Sequence, residues 1–232
     1  MYFNHLTSCS LTERKKDTLL IRGFADGEAC FIKAVSPLRR DLVRAVRDEY
    51  QVMSQIRDSR LPRYLDYSDH FCMGSEGPFN AICMEYVDGI PLSRLLKETE
   101  LSVFLSILAR LGHLLGDLLS LGVLYTELNP GNILIRKEGP LCLVDFTGAY
   151  FYRLNPNPDY SLRFSYQLNP NLAGDQLLVQ ELALMMNQYL IDYEEKKEGI
   201  TVPSSVYSLL ETGLHPSPGL SLHDYLEILL SS

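Results

Sequence analysis

Four polar residues of this 232-residue chain belong to the types that hold a phosphate group and its metal: Lys33, Glu49, Asn132 and Asp145. A lysine ammonium pairs with phosphate oxygens, and a glutamate can hold that lysine in place. The amide of Asn132 and the carboxylate of Asp145 offer oxygens, which are the ligands that Mg²⁺ prefers. If the fold brings these four residues together, they predict a site for a nucleotide phosphate and Mg²⁺.

The first third of the chain has the alternation typical of β-strands. Residues 18–24 and 28–35 predict a hairpin whose turn contains Asp26-Gly27, a pair that tolerates positive φ. Lys33 lies in the second strand. Because side chains alternate along a strand, Phe31 and Lys33 share one face. Residues 71–73 and 79–85 predict a further pair of strands, separated by glycine and proline.

One amphipathic helix is predicted inside this β-rich part, over residues 36–56. Val46, Glu49, Met53 and Ile56 follow each other at helical spacings of three and four residues. They therefore lie on one face, which is the apolar face. The pattern predicts that Glu49 points inward.

The remainder of the chain is mostly helical in pattern. Helices are predicted over residues 91–97, 101–121, 175–190, 204–211 and 221–230, and short strands over 133–135 and 141–144. A β-rich part with one main helix, followed by a helical part, predicts an α+β, two-lobed fold. The predicted division is residues 1–86 and 87–232.

Composition excludes some classes of partner and location. A net charge of -8 argues against a general nucleic-acid surface, because such surfaces need clustered lysine and arginine. No signal-peptide pattern is visible at the start of the sequence, and polar residues interrupt the apolar run 101–124, so we expect a cytoplasmic protein without a membrane span. The five cysteines lack metal-type spacing and are expected to be reduced core thiols.

Several segments together resemble a protein-kinase-like domain, from about residue 18 to the end of the chain. Cys30-Phe-Ile-Lys33 resembles the strand that carries the phosphate-binding lysine. Ile82-Cys-Met-Glu-Tyr-Val-Asp-Gly89 is similar to the hinge between kinase lobes. Leu128-Asn-Pro-Gly-Asn-Ile-Leu134 resembles a catalytic loop, in a style closer to aminoglycoside and other small-molecule phosphotransferases than to protein kinases.

The resemblance implies a role for each matching residue. It implies that Lys33 and Glu49 form a phosphate clamp, that Asn132 and Asp145 are metal ligands, and that Glu127 and Asn129 are the catalytic-loop pair. It also implies that Asp175 is a helical aspartate that holds the catalytic loop. The residues that it places around the adenine are Phe31, Met84, Glu85, Val87 and Leu134.

The sequence departs from the family pattern at four places. No glycine precedes Gly23, so the Gly-rich loop that covers the phosphates is absent. Phe31 stands where alanine usually lies against the adenine ring. Glu127 replaces the catalytic aspartate, and Asn129 replaces a lysine that would stabilise the transferred phosphoryl group. Each of these changes weakens nucleotide binding or phosphoryl transfer.

Three interpretations remain open at this point. The leading one is a pseudokinase, a degenerate kinase that binds another protein or regulates it, with doubtful binding of ATP and Mg²⁺. The second is an active ATP-dependent phosphotransferase in which Glu127 is the base that orients the acceptor hydroxyl. The third is an unrelated α+β protein in which these residues are structural.

Overall fold

The computed structural model describes residues 2–126, 128–138, 140–155, 172, 174–196 and 201–231. The chain divides into two compact units, Met1–Asp88 with Cys142–Thr147, and Gly89–Leu141 with Gly148–Ser232. Strands dominate the first unit and helices the second, so the predicted α+β class is confirmed. The short segment Cys142–Thr147 groups with the first unit, although it follows much of the second unit in the sequence.

The first unit is built on a five-stranded antiparallel sheet. Its strands are β1 (Leu6–Lys15), β2 (Thr18–Ala25), β3 (Glu28–Val35), β4 (Tyr64–Met73) and β5 (Glu76–Glu85), in the order β1-β2-β3-β5-β4. The predicted β2–β3 hairpin forms around Asp26 and Gly27, whose φ angles are 52° and 84°. Positive φ at both turn residues matches the right-handed twist of the paired strands.

Strand β1 was not predicted from the sequence. Nine of its ten residues are exposed, so it carries no alternation of apolar and polar side chains. It forms because its backbone pairs with β2, from Leu6 opposite Ala25 to Lys15 opposite Thr18. The connection between β1 and β2 is therefore the two-residue turn Lys16-Asp17 and contains no glycine.

One face of this sheet carries a cluster of buried apolar side chains. The buried side chains come from β2, β3, β4 and β5, and the partly buried Tyr2 and Phe3 pack against them. They are Leu19, Ile21, Ala25, Cys30, Ile32, Ala34, Phe71, Ala81 and Cys83. Since side chains alternate along each strand, Phe31 and Lys33 lie on the opposite face.

Helix α1 (Arg40–Met53) packs on β3, β4 and β5. It begins four residues later than predicted, because residues 36–39 form a turn that is closed by a bond from the Arg39 N–H to the Ser36 carbonyl. Its buried residues are Val46, Glu49, Val52 and Met53. Glu49 therefore does point inward.

The second unit consists mainly of helices. They are α2 (Leu92–Leu95), α3 (Leu101–Ser120), α4 (Asp175–Lys196), α5 (Ser204–Leu214) and α6 (Leu222–Ser231). Helix α3 packs against α4 and α6, and α5 packs against α4. Two small antiparallel pairs complete the described part of this unit: Ile90–Pro91 with Ile133–Ile135, and Val123–Leu124 with Tyr150–Phe151.

Helix α3 is long and apolar enough to cross a membrane by length and composition, a test that the core helix of a globular protein also passes. Nine of its twenty residues are buried, among them Phe104, Leu111 and Leu118. The Phe104 ring stacks on Tyr189 of α4, with ring centroids 3.8 Å apart. These contacts are those of a core helix.

The cysteines are partly as predicted. All five are free thiols, and Cys30, Cys83 and Cys142 are buried. Cys9 and Cys72 are exposed, so the expectation that all five lie in the core was wrong for these two. They lie on β1 and β4, which are the two edge strands of the sheet and expose more of their side chains than the central strands do.

Gly213 provides a test of packing in the second unit. A Cβ atom at this position of α5 would lie 2.6 Å from the Ala183 Cβ and 2.6 Å from the Tyr225 hydroxyl. We predict that Gly213→Ala lowers the free energy of unfolding by about 1–3 kcal/mol, because overpacking forces the helices apart. Urea denaturation measures this. Gly219→Ala is the control, since a Cβ at Gly219 meets no atom within 4 Å; an equal loss in both variants would contradict the packing argument.

Candidate functional site

A cluster of charged groups in the first unit contains Lys33, Glu49 and Asp145, three of the four residues predicted to hold a phosphate and its metal. Lys33 lies near the middle of β3, with Leu20 of β2 on one side and Ile82 of β5 on the other. Its side chain is only 11% exposed. A buried ammonium needs partners of opposite charge, because desolvation disfavours the charged form. The structure supplies them from α1 and from Cys142–Thr147.

Glu49 is the first partner of Lys33, and its side chain is fully buried. Its Oε2 atom lies 3.5 Å from the Lys33 Nζ. Its Oε1 atom accepts hydrogen bonds from the Tyr64 hydroxyl at 2.6 Å and from the Phe146 backbone N–H at 3.3 Å. The carboxylate therefore joins α1 to β3, to β4 and to residues 142–147.

Asp145 is the second partner of Lys33, with its Oδ1 atom 2.5 Å from the Lys33 Nζ. Its side chain is about half exposed. The backbone at Asp145 has φ 62°, in the left-handed region that few residues other than glycine adopt. Aspartate and asparagine tolerate this region best among the others, which makes Asp145→Asn the appropriate neutral substitution.

The electrostatics of the pair follow from these contacts. Burial acts to lower the pKa of Lys33, but the Glu49 and Asp145 carboxylates outweigh it and raise this pKa above its ordinary value. Partial burial acts to raise the pKa of Asp145, but Lys33 and the hydrogen bonds from Thr147 outweigh it and lower the pKa to about 2. Both groups are ionised at neutral pH.

Thr147 belongs to the same cluster and was missed from the sequence. Its hydroxyl accepts a hydrogen bond from the Lys33 amine. The hydroxyl oxygen also lies 2.7 Å from Asp145 Oδ1 and 3.3 Å from Glu49 Oε2. The signal was present in the sequence, because kinases carry Asp-Phe-Gly where this chain has Asp-Phe-Thr.

A row of large side chains crosses the sheet beside Lys33, on the same face. We call this face the Lys33 face and the row the Arg22 row: Arg22 (β2), Phe31 (β3), Met84 (β5) and Tyr64 (β4), each paired with the next in the strand register. Directly paired residues of antiparallel strands project from the same side of the sheet. Phe31 is partly buried and Met84 is buried. No small residue occurs in the row.

Arg22 is the exposed member of the Arg22 row and was also missed from the sequence. Its guanidinium carbon lies 4.2 Å from the centre of the Tyr86 ring and 5.9 Å from the centre of the Phe24 ring. The first distance is that of a cation–π contact. This contact extends the row of large side chains as far as the segment that resembles a hinge.

The backbone of that segment is partly used within the first unit. The Glu85 N–H donates to the Arg63 carbonyl at 2.8 Å, and the Tyr86 N–H donates to the Ala29 carbonyl at 3.2 Å. The Glu85 carboxylate accepts from the Arg63 guanidinium at 3.1 Å. Val87 is buried. The backbone N–H and the carboxylate of Glu85 are therefore both bonded to Arg63, the residue before β4.

The remaining predicted site residues lie in the second unit or outside the described residues. Asn132 ends the 3₁₀ turn Pro130–Asn132, and its side-chain amide donates to the Tyr125 hydroxyl at 3.3 Å. The Asn129 side-chain oxygen accepts from the Gly131 N–H at 2.7 Å and so caps this turn. Leu134 is partly buried and pairs with Pro91. Glu127 lies outside the described residues.

Among the described residues, Glu181 binds the catalytic-loop backbone, a role that the resemblance implied for Asp175. The Glu181 carboxylate is buried and accepts from the Leu128 N–H at 3.0 Å. Asp175 is partly buried and accepts from the Leu222 N–H at 3.4 Å, which joins α4 to α6. The sequence did contain a signal: Glu181 interrupts the apolar stripe of α4 between Leu178 and Leu182.

Within the described ranges, no three His, Cys, Asp or Glu side chains are grouped so that they could hold a metal ion. A phosphotransferase does not need such a group of side chains to bind Mg²⁺, because the substrate phosphates supply several of the metal ligands. Of the two predicted metal ligands, Asp145 belongs to the first unit and Asn132 to the second. The Asp145 Oδ1 atom is bonded to Lys33.

Comparison with known proteins supports the resemblance. The family model described as the ABC1 atypical kinase-like domain matches residues 79–162, which include Asn132 and Asp145. A segment of 139 residues, 60% of this chain, is 27% identical to the dual specificity protein kinase zak2 of Dictyostelium discoideum. That segment spans only 20% of the relative's length.

Together these matches and the α+β fold support a protein-kinase-like domain in this chain. The match to an ABC1 kinase-like model makes ATP the nucleotide to test.

The buried charge of Glu49 generates a stability prediction. We predict that Glu49→Gln lowers the free energy of unfolding by about 3–5 kcal/mol, because it leaves the Lys33 ammonium in a buried position with one carboxylate instead of two. Denaturant titration of the purified variant measures this loss. The control is Asp48→Asn, which removes a partly exposed pair with Arg44, 3.6 Å apart; such a pair contributes less than about 1 kcal/mol. Similar losses in the two variants would show that burial of the charge is unimportant.

The low pKa of Asp145 generates a prediction about pH. The folded protein keeps this carboxylate ionised at a lower pH than the unfolded chain does, so its stabilising effect is present at neutral pH. It is lost as the pH falls from about 5 to about 2. We therefore expect the stability difference between the unmodified protein and Asp145→Asn to shrink over that interval. Free energies of unfolding measured from pH 7 to pH 2 test this, and a difference that stays constant would contradict it.

Proposed function

We propose that this kinase-like protein is a pseudokinase, a binding or regulatory module with impaired phosphoryl transfer. The observation that carries the proposal is the Arg22 row, which lies beside Lys33 on the Lys33 face. A nucleotide whose phosphates reach Lys33 would need space for its base on this same face.

The Arg22 row leaves little room for a flat base. Phe31 lies two residues from Lys33 along β3, a distance of about 7 Å. Arg22 and Met84 flank Phe31 on the neighbouring strands. A purine ring needs a small side chain beneath it in order to approach the sheet, and this row offers an arginine, an aromatic ring and a methionine instead.

The β1–β2 connection supports the same conclusion. Backbone amides approach phosphates closely where side chains are missing, which is why phosphate-covering loops are rich in glycine. Here the connection is the turn Lys16-Asp17. Asp17 is held by the Arg39 guanidinium at 2.7 Å, and its carbonyl accepts from the Ser36 N–H at 2.9 Å. A turn fixed in this way is poorly suited to fold over a ligand.

The catalytic-loop residues add a third line of support. Asn129 is neutral, and its side-chain oxygen is already engaged by the Gly131 N–H. It therefore cannot replace the positive charge that stabilises a transferred phosphoryl group. Glu127 carries its carboxylate one methylene further from the backbone than aspartate does, and a misplacement of about 1 Å can cost on the order of a hundredfold in rate.

In this proposal the charged cluster acts as a brace. Lys33, Glu49 and Asp145 hold β3, α1 and residues 142–147 together through ion pairs within the chain. The partner that such a module would regulate is another protein, since the net charge of -8 disfavours nucleic acid.

One observation favours a second candidate function, an active ATP-dependent phosphotransferase. The pairing of a strand lysine with a helical glutamate is a condition for activity in protein kinases, and Lys33 and Glu49 meet it. Glu127 would then orient the acceptor hydroxyl, and Asn132 and Asp145 would hold Mg²⁺. The name of the Dictyostelium discoideum relative makes protein hydroxyls the first acceptors to try.

Thermal melting with ATP and Mg²⁺ tests the proposal. We expect the melting temperature of the unmodified protein to change by less than about 1 °C at millimolar MgATP, because a ligand that does not bind the folded state does not stabilise it. A rise of several degrees, or transfer of labelled phosphate that is lost in Asp145→Asn, would favour the active phosphotransferase.

A pair of variants tests the role of the Arg22 row itself. Phe31→Ala should produce a rise in melting temperature with millimolar adenosine, which has a base but no phosphate, because the substitution removes the ring beside Lys33. Phe79→Ala is the matched control, because Phe79 is a partly buried aromatic residue of β5 that packs on the opposite face of the sheet. Equal behaviour of the two variants would remove the support that Phe31 gives to the proposal.

A further inference from the structure

The Lys33 amine is engaged by groups of its own chain. An ammonium group has three N–H donors. Two are hydrogen-bonded, to Asp145 Oδ1 at 2.5 Å and to the Thr147 hydroxyl, and Glu49 Oε2 forms an ion pair with the amine at 3.5 Å. The Lys33 side chain is only 11% exposed. An external ligand must therefore compete with these acceptors for the lysine.

The three acceptors differ in what they contribute. Glu49 and Asp145 are charged partners, which a kinase-type site keeps. Thr147 is neutral, and in the Asp-Phe-Gly pattern its position carries no side chain. Its hydroxyl lies 2.7 Å from Asp145 Oδ1, so it also engages the carboxylate that would face a metal ion. One hydroxyl thus touches both groups that a metal–phosphate ligand would need.

We propose that the Thr147 hydroxyl is an internal substitute for a phosphate oxygen, and that it closes a pyrophosphate-type anion site at Lys33. This inference deepens the proposed function and rests on it in one respect, namely that the unmodified chain binds phosphates poorly. The proposal attributes the poor binding of the phosphate groups to the Thr147 side chain. It is independent of the Arg22 row, which acts on the base.

The test compares two substitutions that differ by one oxygen atom. Thr147→Ala removes the hydroxyl and leaves one Lys33 donor free, whereas Thr147→Ser keeps the hydroxyl. Both retain a Cβ atom, so neither adds the backbone freedom of glycine. The probe is inorganic pyrophosphate with Mg²⁺, measured by isothermal titration calorimetry on the full chain.

We expect Thr147→Ala to bind magnesium pyrophosphate at least about tenfold more tightly than the unmodified protein, since a hydrogen bond to a charged group is restored. Thr147→Ser should bind as weakly as the unmodified protein. An alanine variant that binds no more tightly, or a serine variant that gains as much as alanine, would overturn the proposal. If the alanine variant does not fold, Thr147→Gly, the residue of the kinase pattern, replaces it with the same expectation.

Pyrophosphate has no base, so its binding does not depend on the Arg22 row. Its titration therefore tests the role of Thr147 separately from the pseudokinase proposal. Strong MgATP binding by the unmodified protein would refute the pseudokinase proposal, whatever the variants do. Failure of Thr147→Ala to gain pyrophosphate affinity would refute only the role of Thr147.

Discussion

The first unit depends on the burial of one carboxylate, that of Glu49. A charge removed from water is costly unless hydrogen bonds and an opposite charge replace the lost hydration. Glu49 obtains them from Lys33, from the Tyr64 hydroxyl, and from the backbone of Phe146. These donors come from two strands and from a segment almost a hundred residues later in the chain. Satisfying Glu49 therefore fixes α1 on the sheet and draws Cys142–Thr147 into the first unit.

Because of this dependence, Lys33 has a structural role that does not require catalytic activity. Loss of Lys33 would leave Glu49 buried without its counter-charge, so folding alone is sufficient reason for the lysine to persist. The same holds for Asp145, whose contact with Lys33 completes the pair. Residues that match a catalytic pattern can thus be needed for stability alone. Catalytic activity then depends on the groups around them. Here those groups are the Arg22 row and Thr147.

The sequence predicted the elements whose patterns are local. The Asp26-Gly27 turn, α1 with its inward Glu49, and the apolar helix α3 each follow from spacings within a short stretch. Strand β1 could not be predicted, because its pairing is made by the backbone and its side chains are exposed. The contacts of Thr147 and Glu181 depend on long-range folding, although both residue types were visible as departures from a pattern.

Strand β1 has a consequence for the protein in solution. It is an edge strand with β2 on one side only, so its outer backbone groups could template the addition of a foreign strand. The pairing with β2 shifts twice, between Leu6 and Ser8 and between Leu11 and Glu13, and the charged residues Glu13, Arg14 and Lys15 follow the second shift. Such irregularities twist a strand and interrupt the straight row of donors and acceptors. The shape and charge of β1 therefore disfavour the addition of a strand from another copy at this edge of the sheet.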